Sequence, residues 1–187
     1  MYYRPSLLLL LITCIFACQR RAAPPSPVTI SADLQKAESF LDKQTDSAFY
    51  YFNKVATSSK QRLEVALAFN QMAVIQSDAG DYFGSQESLF SSLKYLDSKK
   101  VGDHSYLASD YNELGLNSIS LKHYNEAVDY FNQALKYTSD TGFRLSILNN
   151  IGLSYQQNGI YRQALRIYQT ALSQVIKKRP MPESLPI

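Results

Sequence analysis

The chain is short of most of the residues that small proteins use to build reactive sites. Its 187 residues include only two cysteines, seven glycines and no tryptophan. A disulfide scaffold, a cysteine-rich metal site and a glycine-rich nucleotide loop therefore lack raw material. Charge is also scarce: 19% of residues are charged, and 19 Lys and Arg stand against 16 Asp and Glu for a net of +3. A nucleic-acid footprint needs Lys and Arg gathered on one face, so nucleic acid is not an expected partner. The pairs Lys99-Lys100 and Lys177-Lys178 with Arg179 follow helix ends, where cations complement the helix dipole. No Gly-x-Ser-x-Gly elbow, His-Glu-x-x-His helix or phosphate loop occurs. His104 and His123 are nineteen apart with no cysteine or carboxylate pair at ligand spacing, which points to surface roles. Neither catalysis, a metal nor a cofactor is expected. What is present is a 45% hydrophobic content with 14 Tyr and 9 Phe, enough for one core. The clusters Tyr50-Tyr51-Phe52 and Tyr82-Phe83 are expected to be packing aromatics and not a base-stacking platform.

The first seventeen residues read as an address. Arg4 supplies a positive start, Leu7 to Phe16 is an apolar stretch, and Ala17 is a small residue at a cleavage position. The stretch falls short of the roughly 20 residues a spanning helix needs. Ile15-Phe16-Ala17-Cys18 resembles the lipobox of bacterial lipoproteins, although Ile and Phe replace the usual Leu and small residue. The resemblance implies an acylated Cys18. Plain cleavage and a short uncleaved anchor are the alternatives, and Arg20-Arg21 directly after the apolar stretch opposes translocation. Residues 18–30 are rich in Ala, Pro and Ser and are expected to form a tether. These features place the chain in a bacterial cell envelope, on a membrane through an N-terminal lipid, facing the periplasm or exterior.

Beyond residue 30 the sequence repeats itself. Three segments superpose: Phe69-x2-Met72-Ala73 with Ser85-x3-Leu89-x2-Ser92, Tyr111-x2-Leu114-Gly115 with Ala127-x3-Phe131-x2-Ala134, and Leu148-x2-Ile151-Gly152-x2-Tyr155 with Ala164-x3-Tyr168-x2-Ala171. In each, the small residue of the first half lies twelve places before that of the second. A weaker copy precedes them, ending in Ala48-x3-Phe52-x2-Val55. The apolar residues of each half fall at helical intervals. Helix starts are signalled by Asp46, Ser58 with Gln61, and Asn125, and stops by Gly80, Gly102 and Gly159. Each glycine inside a helix costs about 1 kcal/mol against alanine, so close helix packing must recover it.

The pattern aromatic-x2-Leu-Gly-x2-Tyr followed by Ala-x3-Phe and Ala resembles the tetratricopeptide repeat (TPR), a helix–turn–helix unit of about 34 residues. The resemblance covers residues 31–178, in repeats at about 31–58, 59–99, 104–139 and 142–178, with a tail at 179–187. It implies an all-α, right-handed α-solenoid of about four helical pairs, with a concave groove lined by the first helix of each pair. It also implies protein or extended-peptide binding in that groove.

Two candidate surfaces follow. Asn70, Asn112 and Asn149 stand three residues before the small residue, and Val74, Leu116 and Leu153 one after it. Residues four apart share a helix face, so the groove would carry amides beside an apolar strip. The amides either grip a peptide backbone or bond between neighbouring repeats. The adjacent places Leu67, Gln71, Ser109, Glu113, Ser146 and Asn150 include no cation, so the carboxylate clamp of chaperone-adaptor repeats is not expected. The second surface is the last helix, from Tyr161 to Lys178. Its Leu165, Tyr168, Leu172 and Val175 have no helix after them, and Pro180, Pro182 and Pro186 forbid a long one. This edge would dock a partner, pair with a second copy, or continue in a longer chain. The last option fits a further resemblance, to the extracytoplasmic sensor region of bacterial TPR histidine kinases and transcriptional regulators, and with it a role in signal transduction. A non-catalytic adaptor and the detached sensor half of a regulator are the two functional readings.

Overall fold

The computed structural model describes residues 31–178. The signal-like segment, Cys18, the tether, Arg179 and the tail lie outside the described residues, as do the side chains of Lys177 and Lys178. Within them the chain is all-helical: α1 (Ala32–Phe40), α2 (Thr45–Ser58), α3 (Arg62–Asp78), α4 (Tyr82–Leu93), α5 (His104–Ser120), α6 (Tyr124–Tyr137), α7 (Thr141–Gln157) and α8 (Tyr161–Lys178), with a one-turn 3-10 helix at Val101–Asp103 before α5. No proline falls between residues 28 and 179, so nothing in the chain breaks a helix from within. Helices pack in sequence order as the pairs α1–α2, α3–α4, α5–α6 and α7–α8. Each pair also packs on the next, and α5 touches both α3 and α7 directly. That is the stacking of a TPR-like solenoid, with the odd-numbered helices forming the inner layer.

In the last three pairs, two side chains decide how closely the helices nest. A Cβ placed on Gly115 would lie 2.5 Å from the ring of Phe131, and one on Gly152 would collide with the ring of Tyr168. In the second pair the small residue is Ala73, and the residue opposite is Leu89, both fully buried in one cluster. Glycine therefore accompanies an aromatic and alanine accompanies leucine. The sum of the two volumes is conserved at the helix crossing, as close packing demands.

The turns inside three of the pairs share one construction. After α3, α5 and α7 the residues Gly80 (φ +81°), Lys122 (φ +62°) and Gly159 (φ +75°) adopt the left-handed conformation. The N–H groups of Gly80 and Asp81 donate to Ser77 O and Gln76 O, those of Lys122 and His123 to Ile119 O and Ser118 O, and those of Gly159 and Ile160 to Gln156 O and Tyr155 O. This is the paired hydrogen bonding by which a left-handed residue closes a helix end. Gly80 and Gly159 act as stops. Gly102 does not, because it lies inside the 3-10 turn.

The helix starts differ from the sequence signals. Side-chain caps come from Ser31, Asp81 and Asp140, which accept from Leu34 N, Gly84 N and Phe143 N. Asp46 and Asn125 instead sit inside the first turns of α2 and α6, and Ser58 ends α2. Ser59 rather than Ser58 steers the entry to α3. Its hydroxyl accepts from Gln61 N at 3.1 Å and donates to Glu64 at 2.8 Å. His104 opens α5 and is half-buried against the Tyr137 ring; its Nε2 lies 2.9 Å from Ser98 O. The second and third pairs are joined by a longer connection, between α4 and α5. There the buried carboxylate of Asp103 receives both guanidinium nitrogens of Arg62 and the N–H of Asp97. The Arg62 hydrogen bond holds that carboxyl below its ordinary range against the cost of burial.

Candidate partner-binding groove

The inner layer presents an apolar strip whose members recur at one place in each repeat. Val74 on α3, Leu116 on α5 and Leu153 on α7 are each half-buried, and Leu116 packs on the core cluster shared by α6 and α7. Toward the N-terminal ends of α3 and α5 the inner face widens into a pocket of about 570 Å³, lined mainly by Leu34, Leu63, Leu67 and Tyr106 with Glu38 at its edge. Arg62 reaches this pocket, but its guanidinium is committed to Asp103 and the Tyr95 carbonyl. Glu64 is likewise occupied, accepting from Ser31 N at 2.7 Å and from the Ser59 hydroxyl.

The asparagines do not form a free ladder beside this strip. Asn70 and Asn112 are only 7% and 8% exposed. Asn70 Nδ2 donates to Asp110 Oδ1 at 2.7 Å and more weakly to Ser109, while Asn112 Oδ1 accepts from Asn150 at 3.4 Å. Of the three, Asn149 alone is exposed. Between the two uses open to these amides, bonding from repeat to repeat is the one the geometry adopts at Asn70 and Asn112. The other sequence-predicted groove places also divide. Leu67 lines the pocket, Gln71, Ser109 and Glu113 are half-buried, and the exposed Ser146 turns its hydroxyl back to the Gly142 carbonyl. The Glu113 carboxyl is raised above its ordinary range, chiefly by burial and further by the charge of Asp78, against a weak hydrogen bond from Asn112.

Behind the strip lies a polar layer that the repeat pattern conceals. Asp110 is fully buried at the place occupied by Ala68 in the preceding repeat and Ile147 in the following one. Its Oδ2 has no hydrogen-bond partner. Burial pushes its carboxyl up to about 7; the hydrogen bond from Asn70 opposes the rise, and the charge of Glu113 adds to it. Asn117, also fully buried, accepts from the Ser77 hydroxyl at 2.8 Å and donates to Ser85 Oγ at 2.7 Å. It thereby ties α5 to both helices of the preceding pair. A polar residue at a place where sister repeats carry alanine or isoleucine is the signal that would have located Asp110.

At the far end, Leu165, Leu172 and Val175 are 57%, 57% and 44% exposed, and Ile176 beside them is 57% exposed. Tyr168 does not belong to this edge. Its ring covers Gly152 and its hydroxyl donates to Gln156 Oε1 at 3.2 Å, so it is part of the α7–α8 contact. The aromatic clusters are mixed too. Phe52 is buried and Tyr51 stacks on Phe40, but Tyr50 and Phe83 are exposed, Tyr50 meeting the Tyr51 ring edge-on at 5.2 Å. Among the described residues no group of three or more His, Cys, Asp or Glu is placed to hold a metal ion, and no helix is long and apolar enough to cross a membrane.

Residues 111–141, running from the middle of α5 to the start of α7, match the tetratricopeptide repeat family. No curated protein is detectably similar in sequence. Among solved structures, BtubC from P. vanneervenii superposes with a TM-score of 0.69 at 18% identity, over 83% of this chain and 68% of that one. A crystal structure of MamA protein superposes at 0.65 and 17% identity over 83% of this chain and 78% of that one, and a second MamA structure at 0.63 and 19% over 78% of each. At these identities the likeness establishes a shared fold, an all-α solenoid.

Proposed function

We propose that this chain is a non-catalytic protein-interaction adaptor, held at a membrane in the bacterial cell envelope through a lipid on Cys18, and that it takes a partner segment into its inner groove. The observation that carries the reading is the recurrence of half-buried aliphatic residues, Val74, Leu116 and Leu153, on helices of the inner layer, beside which α1, α3 and α5 also form the pocket around Leu67 and Tyr106. Aliphatic side chains held half-exposed along a concave surface suit the side chains of an extended or helical partner. With Asn70 and Asn112 consumed between repeats, apolar contact and not amide gripping supplies the affinity. Glu38, Asp78 and Glu113 give the groove an acidic border without a free cation at the places beside the strip.

A photocrosslinking side chain placed at Leu116, compared with one at the exposed Asp129 of α6, tests the groove in cells. A discrete adduct from position 116 that Leu153→Glu abolishes is the expected result. Equal adducts from the two positions, or none from 116, would refute it. Labelling with a fatty-acid probe tests the tether, and incorporation that survives Cys18→Ser would overturn it. A second reading, the sensor segment of a larger regulator with a signalling output, is favoured by Leu165 and Leu172 standing where a further repeat would pack. An adjoining coding sequence that continues in frame into a membrane helix and an output domain would establish it.

A further inference from the structure

The four repeats provide an internal standard for what belongs on the outer face of α8. Leu165 and Leu172 stand one and eight residues after Ala164. The equivalent places are Phe49 and Ala56 after Ala48, Gln86 and Leu93 after Ser85, and Val128 and Leu135 after Ala127. All six of these are buried or half-buried, whereas Leu165 and Leu172 are each 57% exposed. The cover in the earlier repeats is the first helix of the next pair. Phe49 and Ala56 cluster with Ala68 and Met72 of α3, Gln86 donates to Ser118 of α5, and Val128 and Leu135 cluster with Ile147 and Ile151 of α7. The face of α8 is therefore shaped as a seat for one helix, continuous with the stacking that runs through the protein.

We propose that this seat docks an amphipathic helix of a partner protein, one whose apolar stripe is flanked by Asp or Glu. Charge selects the partner's chemistry. From Tyr161 to Lys178 the sequence holds Arg162, Arg166, Lys177 and Lys178 and no acidic residue, whereas α6 mixes Glu126 and Asp129 with Lys136. Arg162 and Arg166 are exposed next to Leu165. A second copy pairing through the same face would bring identical cations together. Among the described residues the opposite end of the solenoid presents Lys36, Glu38 and Ser39 from α1 and no exposed apolar stripe to receive it.

The probe is a 17-residue peptide of the Thr141–Gln157 sequence, the helix that covers the equivalent places on α6. One form carries Glu at positions 144, 150 and 157, and a counterpart carries Lys at the same three. Binding to the full-length protein is read by fluorescence anisotropy. The glutamate peptide is expected to bind at least tenfold more tightly than the lysine peptide. Leu165→Ser with Leu172→Ser should weaken it by a further factor of ten, and Arg162→Ala with Arg166→Ala should erase the preference between peptides. Both leucines are exposed, so a circular-dichroism melt should show the variant folded; the arginine variant provides an independent arm if it is not. Equal affinity for the two peptides overturns the proposal, as does binding indifferent to the leucine change. A dimer in sedimentation that Leu165→Ser with Leu172→Ser dissolves would assign the face to a second copy. Binding to phosphatidylglycerol vesicles without peptide binding would assign it to a membrane surface. Either of these results also overturns the proposal.

Discussion

Replacing Gly115 by alanine sets two opposing effects against each other, and the structure says which wins. An alanine inside α5 gains about 1 kcal/mol of helix propensity over glycine. The new methyl, however, would lie 2.5 Å from Cε1 of Phe131 and 2.7 Å from Cδ1 and Cζ, where carbon atoms rest at about 3.5–4.0 Å. Phe131 is fully buried, so the ring cannot swing into solvent and α5 and α6 must separate by about an ångström. Overpacking of that kind costs up to about 3 kcal/mol, which leaves Gly115→Ala destabilising by about 2. Phe131→Leu alone opens a small void worth about 1.5 kcal/mol, between the costs of removing one methylene and a whole ring. Together the two changes recreate the Ala73–Leu89 pair that this chain already uses at the α3–α4 crossing. The double variant should lose only about 0.5 kcal/mol against an additive expectation of about 3.5, a coupling of about 3 kcal/mol. Urea unfolding followed by far-ultraviolet circular dichroism on the four proteins of the cycle measures it. Additive losses, or a stabilising Gly115→Ala, would refute the claim that paired volumes set the helix spacing.

Two further outcomes follow from the turns and from the buried layer. Lys122→Gly relieves a side chain held in the left-handed region at φ +62° and should stabilise the chain by about 0.5–1 kcal/mol, since the left-handed penalty exceeds the added entropy of the unfolded glycine; an unchanged or lower melting temperature would contradict it. Asp110, its carboxyl raised to about 7 by burial, keeps its proton in the fold while the unfolded chain loses it near pH 4, so stability falls as pH rises from about 4 to 7 by up to about 4 kcal/mol. Asp110→Asn should flatten that slope and stabilise the protein at and above neutrality, and parallel pH profiles for the two proteins would sink the assignment.

How much of this was legible in the sequence depended on whether a feature repeats. The helix pairs follow from small residues twelve apart with an aromatic or leucine beyond, because that geometry recurs and chance does not. Gly80 and Gly159 were legible as stops for the same reason, while Lys122, at the same place with the same two hydrogen bonds, was not, since lysine gives no warning of a positive φ. Helix starts lie two or three residues from their sequence signals. Asp46 and Asn125 are good capping residues by type, yet each lies within the first turn it was expected to precede. Propensity fixes a helix end only loosely, and packing settles the rest.

The asparagine ladder shows where periodicity stops being informative. Residues four apart on a helix differ by about 40° around its axis, so Asn70 and Val74 were grouped on one face. In a solenoid that 40° separates the surface turned toward the groove from the surface turned toward the next repeat. Asn70 falls on the second side, against Asp110, while Val74 stays half-open on the first. The buried amides therefore serve the architecture: Asn70 with Asp110, and Asn117 with Ser77 and Ser85, are directional contacts across repeat boundaries. Apolar packing alone tolerates sliding of one helical pair on another, whereas a buried hydrogen bond is lost by a shift of an ångström. The buried polar residues thus fix how one helical pair sits on the next, a role that a pattern of spacings alone cannot express.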